Sequence, residues 1–248
     1  MAGRIEGKVC VITGAASGIG RALARNLAAN GYHVHLADVS PTADLAAELS
    51  ATSHVVDVAN AQEMEALAAP TSDVDVVCLN AGVVGQTLGA PWEVPTEEWL
   101  GLLRVNLLGV VNGLRVFVPR LLAAERPARI VVTASLAGLV TFPGGGAYAA
   151  SKHALIAVAE QTALALAESP VTVTVVCPAL VRTAMSNEGD DPADVAAAAL
   201  TAAREGRFLV MPPEWTAAVL HRADLLASGQ SPEVPVLAPL GPSQFERR

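Results

Sequence analysis

Residues 8–31 read KVCVITGAASGIGRALARNLAANG. Lys8 to Thr13 is a short, continuous apolar run, the pattern of a parallel strand covered on both faces. It leads at once into Gly14-Ala-Ala-Ser17-Gly18-Ile19-Gly20, and then into a helical run that stops at Gly31. Strand, glycine turn and helix form the context a phosphate-binding loop requires. Glycines let the backbone approach a pyrophosphate, and the helix N-terminus adds amides and a partial positive charge. Such turns also join elements that bind nothing, so the rest of the chain must decide.

The next strand, YHVHLAD, ends at Asp38. An acid about twenty residues beyond the glycine turn is where the adenosine ribose hydroxyls are met. A carboxylate there repels the extra phosphate of NADP, which favours NAD. The competing reading makes Asp38 the start of a turn, Val-Ser-Pro. A third strand, HVVDV, ends near Asp57 and Val58. Asn60 and Glu63 have capping-box spacing, which leaves Asp57 for an adenine edge or for the turn itself, and both stay open.

A fourth strand, residues 74–79, opens into Asn80-Ala81-Gly82. A long amphipathic helix runs from Thr96 to about Ala124 and carries Asn106 amid apolar neighbours. An amide buried there is costly without partners, so it pairs with backbone or holds water. Strands follow at 129–134, ending beside Ser135, at 171–177, leading into Pro178–Thr183, and at 207–211. Helices start near Asp191 and near residue 214, and a proline-bearing tail from Gln230 is expected to be extended. Strands alternating with helices predict one doubly wound α/β domain spanning residues 1–248. Ligands of such sheets sit beyond the carboxyl ends of the strands, where Gly14, Asp38, Asp57, Asn80, Ser135 and Pro178 all fall.

Chemistry concentrates in SLAGLVTFPGGGAYAASK, residues 135–152. On a helix, Tyr148 and Lys152 share one face. A phenol of pKa about 10 is a poor base near neutrality, and a nearby cation lowers that value. Ser135 adds a hydroxyl for the reacting oxygen. Taken alone, a tyrosine and a lysine so spaced are an aromatic and a snorkelling stem; the strand-end pattern outweighs that reading.

Apolar residues are 52% and charged residues 16%, a globular composition. The net charge of −8, without a basic run, argues against nucleic acid or an anionic membrane as partner. Cys10, Cys78 and Cys177 lie apart in apolar strands, with neither zinc nor disulfide spacing, and suit a reducing cytoplasm. No histidine set has ligand spacing, so no metal is expected. Met1–Lys8 lacks an apolar h-region. The uncharged stretch 130–151 holds glycines, a proline and hydroxyls, and reads as strand and loop rather than a span.

Jointly, Thr13-Gly14-x-x-x-Gly18-x-Gly20, Asn80-Ala81-Gly82, Asn106, Ser135 and Tyr148-x-x-x-Lys152 resemble the short-chain dehydrogenase/reductase family in its single-domain form. The resemblance covers Lys8 to about Met211. It implies a Rossmann-type, seven-stranded, mainly parallel sheet, and reversible hydride transfer between a nicotinamide cofactor and an alcohol/carbonyl pair. It makes Tyr148 the acid/base, with Lys152 holding the nicotinamide ribose and lowering the Tyr148 pKa. Ser135 orients the substrate oxygen, and Asn106 positions a water in a proton relay. The NAD site is placed on Gly14, Ser17, Gly18, Ile19, Gly20, Asp38, Asp57, Val58, Asn80, Ala81, Gly82, Tyr148, Lys152, Pro178, Val181 and Thr183.

Three departures stand out. Pro178-Ala179 replaces the usual Pro-Gly, few residues separate Thr183 from the Asp191 helix start, and the glycine-rich close after Met211 is missing. A short lid is therefore expected. The substrate, a small hydrophobic or alicyclic alcohol or ketone, would lie among Ser135, Leu136, Phe142, Tyr148 and Met185, with Trp92 and a neighbouring subunit's tail completing the pocket. Relatives are frequently tetramers, so a homo-oligomer is expected. Two alternatives remain: an NADP-preferring carbonyl or C=C reductase of the same family, which the narrow Tyr148–Lys152 spacing disfavours for C=C chemistry, and a non-catalytic dinucleotide-binding regulator.

Overall fold

The structure is a computed structural model that describes residues 8–71, 73–87, 89–183 and 186–235. Its sheet has seven parallel strands: β1 (Lys8–Thr13), β2 (Tyr32–Asp38), β3 (Thr52–Val55), β4 (Val74–Leu79), β5 (Ala128–Thr133), β6 (Val171–Val176) and β7 (Leu209–Val210). They lie in the order β3-β2-β1-β4-β5-β6-β7, every pair parallel. The sequence allowed an antiparallel strand, and none occurs among the described residues.

Burial on both faces follows directly from the strand sequences. Val9 and Val11 enter one core layer, and Cys10 and Ile12 enter the other. β4 splits the same way, with Val77 and Leu79 against Val76 and Cys78. A period of two with every residue apolar requires helices on both sides. The first layer receives α3 (Ala61–Ala68), α5 (Gly109–Ala123) and α6 (Gly146–Ala165). The second receives α1 (Gly18–Ala29), α2 (Ala43–Leu49) and α7 (Pro192–Arg204). Phe117, 1% exposed, is the largest fully buried side chain; truncating such a group to Ala costs about 3–5 kcal/mol.

Two helices complete the elements, α4 (Thr96–Leu103) and α8 (Thr216–Ser228). The single long helix expected from Thr96 is interrupted by a π turn over Arg104–Leu108, where the Gly109 amide reaches the Arg104 carbonyl. By length and composition alone Thr96–Ala123 could cross a membrane. Its apolar side is instead the one that packs, through Val116, Phe117 and Leu121, into the core.

Other boundaries shift modestly. β3 pairs with β2 only from His35–Thr52 to Asp38–Val55, so the strand ends before Asp57, which lies in the following turn. Asn60 caps α3 as expected, accepting from Gln62 and Glu63 amides. The return arm of Glu63 goes to the Asp57 amide at 2.7 Å, rather than to that of Asn60. β1 and β4 are sheet neighbours at which the strand order reverses direction, and their carboxyl ends open the crevice in which such folds hold ligands.

Candidate active site

Gly14 leaves β1 with φ +68°, and a Cβ there would stand 2.8 Å from the Ala81 Cα. At Gly20 a Cβ would lie 2.0 Å from the Gly14 carbonyl oxygen. These two glycines let the turn fold onto itself and onto the strand beside it. Gly18 lies under the Thr183 methyl, and Ser17 precedes α1 with its hydroxyl making no cap bond. The first turn of α1 carries no acid, so no carboxylate of its own competes there with a phosphate for the positive end of the helix. Ile19 packs against the second core layer.

Asn80 braces the floor. Its amide nitrogen donates to the Thr13 and Gly14 carbonyls at 3.1 and 3.2 Å, and its carbonyl accepts from Thr133 Oγ1 at 2.9 Å. Thr13 Oγ1 receives the Asn80 and Ala81 amides. Asp38 Oδ2 accepts from Ala16 N and Oδ1 from Ser40 N, each at 2.9 Å. A carboxylate has about four acceptor positions, so two remain for hydroxyls. Asp57 Oδ1 holds the Ala59 amide at 2.9 Å, and Val58 is buried against Gly109. After Pro178, Val181 forms a parallel bridge to Asp190 and Thr183 an antiparallel one to Ser186. Met185 lies outside the described residues.

At the carboxyl end of β5, Ser135 Oγ accepts from the Ala137 amide at 3.1 Å and stands near enough to the Tyr148 hydroxyl to favour its ionised form. Lys152 is 4% exposed; its Nζ stands 5.8 Å from the centre of the Tyr148 ring and donates to the Thr133 carbonyl at 3.2 Å. Asn106 is fully buried within the π turn. It pairs with backbone: Oδ1 accepts from Val83 N at 2.8 Å, and Nδ2 donates to Val83 O at 2.9 Å and to Ser151 Oγ at 3.1 Å. Single π turns are frequent at functional positions. Gly82 completes the floor, where a methyl would come 3.3 Å from Asn106 Oδ1 and 3.4 Å from Lys152 Nζ.

The electrostatics correct one expectation. Burial pushes the Tyr148 pKa up, against a smaller downward pull from Ser135. The same burial brings Lys152 down to about 8. Burial is the leading cause of both shifts, and Lys152 is not among the groups that shift Tyr148 here.

A model of the short chain dehydrogenase family matches residues 8–193. The chain belongs to that family. Among relatives of this short-chain dehydrogenase, 1-deoxy-11-beta-hydroxypentalenate dehydrogenase of Streptomyces exfoliatus is 42% identical over 192 residues, 73% of this chain and 70% of that one. (−)-trans-Carveol dehydrogenase of Rhodococcus erythropolis is 34% identical over 210 residues, 75% of this chain and 76% of that one. A short-chain dehydrogenase/reductase from Burkholderia phymatum, solved with NAD, superposes with a TM-score of 0.83 at 31% identity, covering 94% of this chain and 98% of that one.

The dehydrogenase carries a cavity of about 540 Å³ beside the Tyr148 helix, with Phe142 in its wall. Trp92 is 84% exposed and does not line it; Trp99 does. Leu136 is buried in the turn after Ser135. Three supporting hydroxyls were given no role by the sequence reading: Thr13, which entered only as part of the glycine motif, Thr133 and Ser151. Ser151, between Tyr148 and Lys152 and on their inward side, carried a legible signal. The two threonines resembled any strand residue.

Proposed function

We propose that this short-chain dehydrogenase oxidises a secondary alcohol to a ketone, and reverses the step, with NAD as the preferred cofactor and Tyr148 as acid/base. The observation that carries the reading is the buried Lys152 with its Nζ 5.8 Å from the Tyr148 ring, beside Ser135 at the carboxyl end of β5. The turn fits a dinucleotide: Gly14 and Gly20 let it close tightly on itself and on the Asn80–Ala81 backbone, Asp38 keeps acceptor positions for hydroxyls, and Lys152 has donors left after its bond to Thr133. NAD, when bound, supplies the hydride acceptor and, in its oxidised form, a positive charge that favours the phenolate.

The chain's own residues do the rest. Ser135 orients the substrate oxygen through a hydroxyl fixed by the Ala137 amide. Tyr148, whose proton is held tightly by burial, gives it to a nascent alkoxide in the reductive direction and takes it back in the oxidative one. Such proton transfer contributes about 10²–10⁴ in rate, and alignment of the reacting carbons supplies more. Asp38 presents a negative charge where NADP carries its extra phosphate, which supports the NAD preference. Leu100, Leu108 and Leu164, 56%, 47% and 77% exposed, support a homo-oligomer built on the α4–α6 side. The three buried free thiols support a reducing cytoplasm.

The test is a panel of secondary alcohols with NAD, followed by NADH absorbance. Tyr148→Phe should lose activity by at least about a hundredfold yet still bind NADH. Undiminished turnover would exclude the assigned role.

A further inference from the structure

A small cavity of about 110 Å³ opens at the amino edge of the sheet. Lys8, Tyr32 and Arg129 line it from the amino ends of β1, β2 and β5, Asn26 and Asn30 from the end of α1, and Arg204 from the end of α7. The two-residue period of the strands sets the first three on one face. Lys8 alternates with Cys10, Tyr32 with Val34 and Arg129 with Val131, and those three partners all belong to the second core layer. α1 and α7 cover that layer, and the cavity lies where both helices stop. β1 runs six residues from Lys8 to Thr13, so the glycine turn is roughly 17 Å away.

The chain carries 24 acids against 16 bases, yet three cations and no carboxylate line this cavity. Among the described residues none of the three is in an ion pair. Lys8 Nζ meets the Tyr32 ring, 5.5 Å from its centre. Arg129 Nε donates to the Ala203 carbonyl at 3.0 Å, and one terminal nitrogen of Arg204 donates to Thr201 Oγ1 at 2.9 Å. The carboxyl ends of helices favour a cation, which accounts for the Arg129 bond. It does not account for three, since like charges gathered in one cavity repel.

Donors are also left over. A guanidinium has several N–H groups, and most of those on Arg129 and Arg204 are unengaged. Asn30 Nδ2 donates to the Asn26 carbonyl and to Asn26 Oδ1, at 2.8 and 3.1 Å, which leaves Asn26 Nδ2 without an acceptor among the described residues. Burial raises the Tyr32 pKa, and Arg129 and, more weakly, Arg204 draw it back, so the phenol keeps a proton to donate. Asp75, the carboxylate that also acts on Tyr32, is already engaged by the Val9 amide at 2.7 Å and by Arg126.

We propose that this cavity binds a phosphate group, carried by inorganic phosphate or by a small phosphomonoester, between the amino ends of β1 and β5 and the carboxyl ends of α1 and α7. Unengaged donors from four elements converge there on a group rich in acceptors. Guanidinium groups match phosphate oxygens in pairs, and Lys8 adds a point charge. At roughly 30 Å³ per water, the space takes one tetrahedral oxyanion and no nucleoside. The rest of a phosphomonoester would leave past Lys8 and Arg204, which are exposed. Bound only by the folded chain, the anion clamps α1 to α7 and raises stability.

The full chain is titrated with sodium phosphate against sodium chloride at matched ionic strength, following heat and melting temperature. The readout needs no turnover, so it is separate from the alcohol-dehydrogenase reading. The glycine turn is a rival site for phosphate, and the variants Lys8→Met and Arg204→Met, both at exposed positions of the far edge, tell the two apart. Each should weaken phosphate by roughly tenfold, and the double variant should lose the phosphate-dependent rise in melting temperature while melting in chloride no lower than its parent. Glycerol 3-phosphate identifies the carrier: affinity equal to or above that of phosphate assigns the site to a phosphomonoester, and weaker binding assigns it to the free ion. No heat at millimolar phosphate, equal stabilisation by chloride, or an affinity that survives the double variant overturns the proposal.

Discussion

Asn106 Nδ2 donates to Ser151 Oγ at 3.1 Å, and that hydroxyl donates in turn to the Tyr148 carbonyl at 2.7 Å. The π turn is thereby fastened to the first turn of the helix that carries the acid/base. Ser151→Ala leaves Asn106 Nδ2 one partner short in a fully buried place, which costs about 1–3 kcal/mol. We expect a melting temperature lower by a few degrees and kcat reduced by roughly tenfold, equivalent to ~1.4 kcal/mol in the barrier, with KM little changed. Asn106→Leu, which also strands both Val83 backbone groups, should be worse on both counts. An unaltered kcat in Ser151→Ala would show that the link does not position Tyr148.

Lys152 exchanges stability for function. Burial lowers its pKa from 10.5 to about 8. The unfolded chain therefore holds the proton up to a higher pH, and stability should rise as pH climbs from about 8 towards 10.5. Below pH 8 the full penalty applies, about 3 kcal/mol at ~1.4 kcal/mol per pH unit. Lys152→Met removes that penalty but leaves the Thr133 carbonyl unpartnered, at about 1 kcal/mol. The protein without cofactor should therefore melt higher by roughly 4–8 °C at pH 7, while turnover is lost. A variant that melts lower than its parent would refute the argument.

Asp38 braces the glycine turn through Ala16 N and the following turn through Ser40 N. Both readings of the sequence, ribose acceptor and turn former, therefore apply to one side chain. Asp38→Asn keeps an acceptor and removes the charge. The preference for NAD over NADP should relax by roughly tenfold, a difference of ~1.4 kcal/mol, when the two cofactors are titrated separately. An unchanged ratio would contradict the electrostatic basis of the preference.

What the sequence made legible is what short-range chemistry dictates. Continuous apolar runs gave β1, β4, β5 and β6, because strands buried on both faces tolerate little else. β3 was misplaced because it is an edge strand with only four paired residues, and Val56–Asp57 continue its apolar pattern without its ladder. The π turn was invisible, since Arg104–Leu108 suits an α-helix equally well. Priming of Tyr148 by Lys152 followed from their spacing, yet depth of burial, which spacing does not encode, is the leading cause of the shift. Trp99 and Arg222 reach the cavity beside α6 through packing of α4 and α8, and no local motif announces either.

His35 and His54 form the last testable pair. Their ring nitrogens lie 2.9 Å apart, and His33 crosses His35 edge-on. Burial, then His54 and His33, bring the His35 pKa from 6.5 down to about 4, and burial also lowers that of His54. The unfolded chain takes up protons first as pH falls, so this cluster's stability is complete above pH 6.5 and drains away towards pH 4. At ~1.4 kcal/mol per pH unit the loss at His35 reaches at most about 3 kcal/mol. Urea denaturation at pH 7.5 and pH 5 should show it, and His35→Phe should flatten the slope between the two relative to the parent. Parallel slopes in parent and variant would place acid sensitivity elsewhere, since the only charge change removed is that of the buried imidazole.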